Sequence, residues 1–142
     1  MFNIRVYGIL INENQQVLVS DEHRNGMAFT KFPGGGLEFG EGFAASLERE
    51  FMEELQIEVE VGELLYFNDF NQVSAFNPKQ QLFSFYYFVH FNDWHSIETD
   101  KHKIPLTEDG EKHRWMHLSE ISAASFNFPI DKIVAEKIKK SL

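Results

Sequence analysis

A chain of 142 residues has the length of one domain with one hydrophobic core. Its composition, 43% apolar and 25% charged, is that of an ordinary water-soluble globular chain. The formal charge of −9 disfavours a nucleic acid polymer as partner, and the absence of cysteine removes disulfides, thiolate zinc sites and a cysteine nucleophile. The first residues carry Arg5 too early for a signal peptide, and no apolar run reaches membrane-spanning length, so a cytoplasmic location without membrane attachment is expected. No repeat, low-complexity tract or linker interrupts the chain, which reads as one domain over residues 1–142.

In chain order, Ile4–Asn12 and Gln15–Ser20 read as strands joined by the polar turn Asn12-Glu13-Asn14. Ala28–Phe32 reads as a short third strand, and Pro33-Gly34-Gly35-Gly36 breaks regular structure. Gly42–Leu55 reads as a helix, because Ala44, Leu47, Phe51 and Leu55 recur at spacings of three and four and make one apolar stripe. Val59–Phe67 and Leu82–Phe91 read as longer strands, Asn92–Lys112 as a polar loop, and His113–Leu118 as a last strand. Pro129–Lys140 reads as a second amphipathic helix, with Ile130, Ile133, Val134 and Ile138 on one side and Pro129 in its first turn. Strands and helices mixed in this way predict an α/β or α+β sandwich, with a mixed sheet between helices.

The chemistry concentrates between Gly35 and Ile57. Glu50, Glu53 and Glu54 stand at i, i+3 and i+4, neighbours on one helical face. Three crowded carboxylates repel unless protons or cations offset them, and their oxygens are hard ligands suited to Mg²⁺ or Mn²⁺. Arg49 is placed to pair with one of them. On their own, acidic residues on a helix are more often a solvated face. The Gly-rich turn is likewise more often only a turn, and it is no P-loop, since no Gly-Lys-Ser/Thr follows.

Together the two features resemble the Nudix box. Gly35 is followed after five residues by Glu41; seven more lead to Arg49-Glu50; then come apolar Phe51, free Met52, Glu53-Glu54, Leu55, Gln56 and apolar Ile57. Eight of nine fixed positions match, which chance would produce on the order of once in a million such chains. The departure is Gln56, where the family pattern has Gly. A Gly at that point serves a left-handed helix end, so Gln is expected to cost stability there and not chemistry.

The resemblance implies a Nudix-type α/β/α sandwich in which the box forms a loop, helix and loop. It implies that Glu50, Glu53 and Glu54 bind a divalent metal, Mg²⁺ or else Mn²⁺, with the Gly35 carbonyl as a further ligand. Glu41 would assist from the helix start, Arg49 would orient the cluster, and Glu38 is a weaker candidate in the same loop. The implied reaction is attack of water on a phosphoanhydride of a small nucleotide-like substrate. Glu50 or Glu54 is the candidate base within the box; Glu108, Asp109 and Glu111 are candidates in the downstream loop, each otherwise a solvated charge. Phe32-Pro33-Gly34-Gly35 and Asn127-Phe128-Pro129 resemble segments of the MutT-like branch. That similarity would make Asn127 a reader of the base, against the commoner expectation that it caps the second helix. Phe32 is a candidate stacking residue against the commoner expectation of core, and Arg24 and Lys31 are candidates for phosphate contact. His113 and His117 lack a clear third zinc ligand in the sequence, and no nucleophile elbow is present. A Nudix domain that binds a nucleotide without cleaving it is the competing reading; the presence of all the box carboxylates favours an enzyme. Both a monomer and a homodimer fit the sequence.

Overall fold

The computed structural model describes residues 1–99 and 101–141. Among them are seven strands, β1 Phe2–Leu10, β2 Gln16–Arg24, β3 Met27–Lys31, β4 Gly34–Gly36, β5 Glu60–Phe67, β6 Gln81–His90 and β7 Gly110–His117. Two α-helices, α1 Phe43–Leu55 and α2 Pro129–Lys140, complete an α/β fold with two sheets. None of the described helices is long and apolar enough to cross a membrane. The chain forms two compact units, one of Met1–Ile9 with Gly34–Phe91 and one of Leu10–Pro33 with Asn92–Leu142.

The first unit holds α1 and a sheet of order β4-β1-β6-β5. The glycine run expected to break structure is strand β4 instead, antiparallel to β1 with Val6 opposite Gly35 and Tyr7 opposite Gly34. The physical reason is close approach. Gly34 has φ +142°, and a side chain there would collide with the Val6 carbonyl. Helix α1 buries Ser46, Leu47 and Phe51, and Phe51 lies over Gly8 of β1, where a Cβ would stand 2.6 Å from its ring. The expected stripe is corrected at one end: Ala44 is exposed, and the inward face rotates toward Ser46 and Glu50.

The second unit holds α2 and a sheet of order β3-β2-β7. Here β2 runs on to Arg24 and β7 begins at Gly110, so both strands are longer than their apolar residues suggest and the loop before β7 is shorter than expected. The polar extension is held because its charges find cross-strand partners. The Asp21 carboxylate accepts from Thr30 at 2.6 Å and from Arg114 at 2.7 Å, and Glu22 pairs with Lys31 at 3.0 Å. Asn25 and Gly26, both at positive φ, turn β2 into β3. The Asn12 turn is as expected, with its side-chain oxygen accepting from the Asn14 and Gln16 amides. Helix α2 starts at Pro129 and buries Ile130, Val134, Ala135 and Ile138.

Helix α1 ends at Gln56, with φ 55° and ψ 38°, the left-handed cap that the family pattern gives to glycine. Its amide donates to the Met52 carbonyl, and its side-chain nitrogen donates to the Glu53 carbonyl at 2.9 Å. Glycine lacks the Cβ clash of this conformation but loses that last bond. Gln56→Gly is therefore expected to stabilise the fold by up to about 1 kcal/mol, or roughly 3 °C in melting temperature. A thermal melt showing no gain, or a loss, would mean that the side-chain bond outweighs the backbone strain.

Candidate active site

In the first unit, the loop after β4 and one face of α1 converge on a single guanidinium. Arg49 donates from Nε to Glu41 Oε2 at 3.0 Å and from Nη2 to Glu41 Oε1 at 2.7 Å, a two-pronged contact that fixes the plane of the group. The same Nη2 donates to the Gly36 carbonyl at 3.1 Å. On its other side Nη1 reaches Glu50 Oε1 at 3.1 Å and Glu53 Oε2 at 3.3 Å, with Glu38 at 3.5 Å. Glu41 also accepts from the Glu38 amide at 2.8 Å, which closes the loop on itself.

The carboxylates differ in environment. Glu53 is well exposed, whereas the Glu50 side chain keeps only 12% of its accessibility. Burial, and then the neighbouring charge of Glu54, raise the proton affinity of Glu50 above that of an ordinary carboxyl, although Arg49 acts in the opposite sense. Glu41 moves the other way: the Arg49 hydrogen bond, followed by that of the Glu38 amide, lowers its pKa to about 2. Gly35 lies directly under Glu50, and a Cβ there would stand 2.6 Å from Glu50 Oε1. The glycine leaves the carboxylate a cradle that any other residue would fill.

The remaining sequence candidates lie in the second unit. Lys31 is buried and paired with Glu22, and its Nζ is 3.4 Å from the Phe32 carbonyl. Phe32 is fully buried and stacked on Phe126 at 4.5 Å, so it is core and presents no stacking surface. Arg24 is exposed at the end of β2, opposite Met27. The capping expectation for Asn127 is corrected: the residue before α2 is Phe128, and no side chain caps the helix. Asn127 Oδ1 instead accepts from the Thr30 amide at 2.9 Å, and the residue lines a cavity of about 220 Å³ with Asp21, Arg114 and Ile104. Asp109 lies 2.7 Å from His23 Nδ1, while Glu108 is exposed. Glu111, expected in the loop, is in β7 opposite Glu22.

Reasoning on the sequence missed Asp21. Its carboxylate is 2% exposed and takes bonds from Thr30, Arg114 and His102, the last at 2.7 Å. Burial raises its pKa, but the three hydrogen bonds and the Arg114 charge outweigh burial and leave it lowered. The signal for it was the run Asp21-Glu22-His23 continuing an apolar strand.

A family model for the NUDIX domain matches residues 1–137. The chain belongs to the Nudix family. As a Nudix protein it is a hydrolase, and its box is the loop and helix that Arg49 ties together. No curated protein matches the sequence. Among solved structures, the ORF135 protein of E. coli is similar with TM-score 0.70 and 19% identity, over 98% of this chain and 89% of that one. A MutT protein from Methanosarcina mazei is similar with TM-score 0.69 and 17% identity, over 99% and 94%. A MutT Nudix hydrolase from Burkholderia pseudomallei follows with TM-score 0.68 and 16% identity, over 96% and 98%. These likenesses show that the Nudix fold is shared.

The lowered pKa of Glu41 makes a pH prediction. A carboxyl with a lower pKa folded than unfolded stabilises the fold above its ordinary value of 4.5, and that contribution is lost as pH falls from there toward about 2. Wild type is therefore expected to exceed Glu41→Gln in stability at pH 6, with the gap closing across that acid window. Denaturant melts of both proteins at several pH values measure it; a gap constant down to the lowest pH would show that the pairing adds nothing.

Proposed function

We propose that this chain, acting as one domain over residues 1–142, hydrolyses a phosphoanhydride bond. The substrate is a nucleoside triphosphate or another small molecule built on a nucleoside diphosphate. The observation that carries the reading is the cluster around Arg49, in which one guanidinium organises Glu41, Glu50 and Glu53 while Glu50 and Glu54 are left in mutual repulsion. Such a set of hard oxygen donors, one of them largely buried with raised proton affinity, fits a divalent cation such as Mg²⁺ or Mn²⁺. The Gly35 cradle fits it too, because a side chain at position 35 would occupy the space against the Glu50 carboxylate. Glu50, Glu53, Glu54 and the Gly35 carbonyl are the proposed ligands. A bound cation would supply charge neutralisation of the phosphate oxygens and a lowered pKa for the attacking water.

The chain's own residues account for the rest. Arg49 holds the Glu41 loop and the Glu50 carboxylate in fixed positions, so little reorganisation accompanies reaction. Glu54 is the proposed base for the attacking water: it is half-exposed and stands one helical turn from Glu50 on the same face of α1. Glu50 is the alternative within the helix, and Glu108, Asp109 and Glu111 are the alternatives beyond it. At the cavity of the second unit, Asn127 is proposed to meet the base. Thr30 occupies its carbonyl oxygen, which leaves the amide nitrogen as the group to meet a base acceptor. The charge of −9 fits a small substrate better than a nucleic acid polymer.

The test is release of phosphate or pyrophosphate from nucleoside triphosphates, dinucleotides, ADP-ribose and nucleotide sugars, with and without Mg²⁺. Metal-dependent release from one class is expected, and Glu54→Gln is expected to lower turnover by about a thousandfold with its circular dichroism unchanged. Folded, metal-loaded protein that releases nothing would favour a domain that binds its nucleotide without cleaving it. Near wild-type turnover in the variant would move the base elsewhere.

A further inference from the structure

In the second unit, the cavity of about 220 Å³ combines the apolar side chains of Phe29, Ile104 and Leu106 with a polar set that one residue ties together. Thr30 is that residue. Its hydroxyl donates to Asp21 Oδ1 at 2.6 Å, and its amide donates to Asn127 Oδ1 at 2.9 Å. Asp21, 2% exposed, takes the Nε and Nη2 edge of Arg114 at 2.7 and 3.3 Å, with His102 Nε2 2.7 Å from its Oδ2. Two bonds from one edge fix the plane of the guanidinium. They also turn its other edge, Nη1 and the second N–H of Nη2, away from Asp21. Among the described residues, nothing accepts from Arg114 Nη1 or from the Asn127 amide nitrogen.

These groups limit what the cavity takes. Asn127 turns its carbonyl inward only by losing the Thr30 amide, so both of the groups offered to a ligand are donors. The charge of Asp21 cancels that of Arg114, so a phosphate or carboxylate finds no net positive charge and meets a carboxylate beside the guanidinium. The volume lies below the roughly 300 Å³ at which pockets for drug-sized ligands begin. A flat, uncharged ring with two adjacent acceptors meets all three limits. Its faces suit the apolar walls, and its acceptors take two coplanar N–H bonds from the open edge of Arg114. Guanine offers such a pair in O6 and N7, and cytosine in O2 and N3. Adenine sets its amino group beside N7 and N1, and uracil sets an N–H between its carbonyls, so each brings a donor against a donor.

We infer that Arg114, aimed by Asp21 and Thr30, selects the base that enters this cavity, admitting guanine or cytosine over adenine and uracil. The selection rests on the proposed role of the cavity as the base site. Asn127 alone does not supply it, because one donor meets any acceptor.

Nucleosides test this apart from hydrolysis, since they carry no phosphate and need no metal. Guanosine, cytidine, adenosine and uridine are titrated into the isotope-labelled full chain, and the side-chain NMR signals of Arg114 and Asn127 are followed. Guanosine or cytidine is expected to shift both signals and to bind at least about tenfold tighter than adenosine or uridine. A response to guanosine alone assigns the O6 and N7 edge, and one to cytidine alone the O2 and N3 edge. Arg114→Lys keeps a charge for Asp21 and removes the fork; it is expected to bring the four affinities within about twofold, with circular dichroism unchanged. Thr30→Val keeps the amide on Asn127 and removes the hydroxyl on Asp21, so it is expected to narrow the preference while the Asn127 signal still shifts. Equal affinity for the four nucleosides in wild type overturns the inference. So does an Arg114 signal that none of them moves, or a preference that survives Arg114→Lys. A chain that shows the preference but hydrolyses no triphosphate upholds this selection and removes the proposed hydrolysis instead.

Discussion

The guanidinium of Arg49 is the contact on which the site depends. It joins the Glu41 carboxylate, the Gly36 carbonyl and the Glu50 and Glu53 side chains, so a loop and a helix are fixed to each other. Geometry explains why arginine holds this position. Its planar fork meets Glu41 with two parallel bonds and still has a nitrogen for the helix carboxylates, which an ammonium group does not offer. Glu41 is correspondingly the carboxylate with the strongly lowered pKa, and the contact holds it ionised far below neutral pH.

Around that anchor the electrostatics are deliberately incomplete. One cation faces Glu38, Glu41, Glu50 and Glu53, and Glu54 adds a further negative charge beside Glu50. A largely buried carboxylate next to another normally relaxes by taking a proton, and Glu50 leans that way. The fold nevertheless clears space for it with a glycine instead of filling the space. An arrangement that tolerates repulsion and preserves room for the charged form is what a cation site requires before its cation arrives. The second unit shows the contrasting solution. There Asp21 and Glu22 are matched by Arg114 and Lys31 within the sheet, so their charges hold strands together.

How much of this the sequence disclosed follows from where each signal lies. The box was legible because its fixed positions are set by the helical repeat and by chemistry at once, and Gln56 in the left-handed cap was legible because only backbone geometry explains a glycine there. The exact inward face of α1 was not, since counting apolar residues cannot see that Ser46 is buried and Ala44 is not. Strand β4 was hidden because three glycines carry no strand propensity; its cause is the proximity of Val6 and Glu50, which sequence order does not show. The ends of β2 and β7 were hidden because polar residues there find partners across strands that are distant along the chain. Asn25-Gly26, by contrast, was a readable hairpin turn that the apolar pattern alone passes over. Asn127 looked like a helix cap by position, and only the placement of Thr30 shows that its side chain serves a strand edge.

The central claim is that Arg49 arranges the helix carboxylates as a metal site. Calorimetric titration of Mg²⁺ into wild type and into Arg49→Lys tests it directly, because lysine keeps the charge and removes the fork. The account predicts Mg²⁺ binding by the wild type and affinity lower by about tenfold or more in the variant, with its fold retained. Equal affinity in the two proteins would contradict it, and would mean that the carboxylates hold their positions without Arg49.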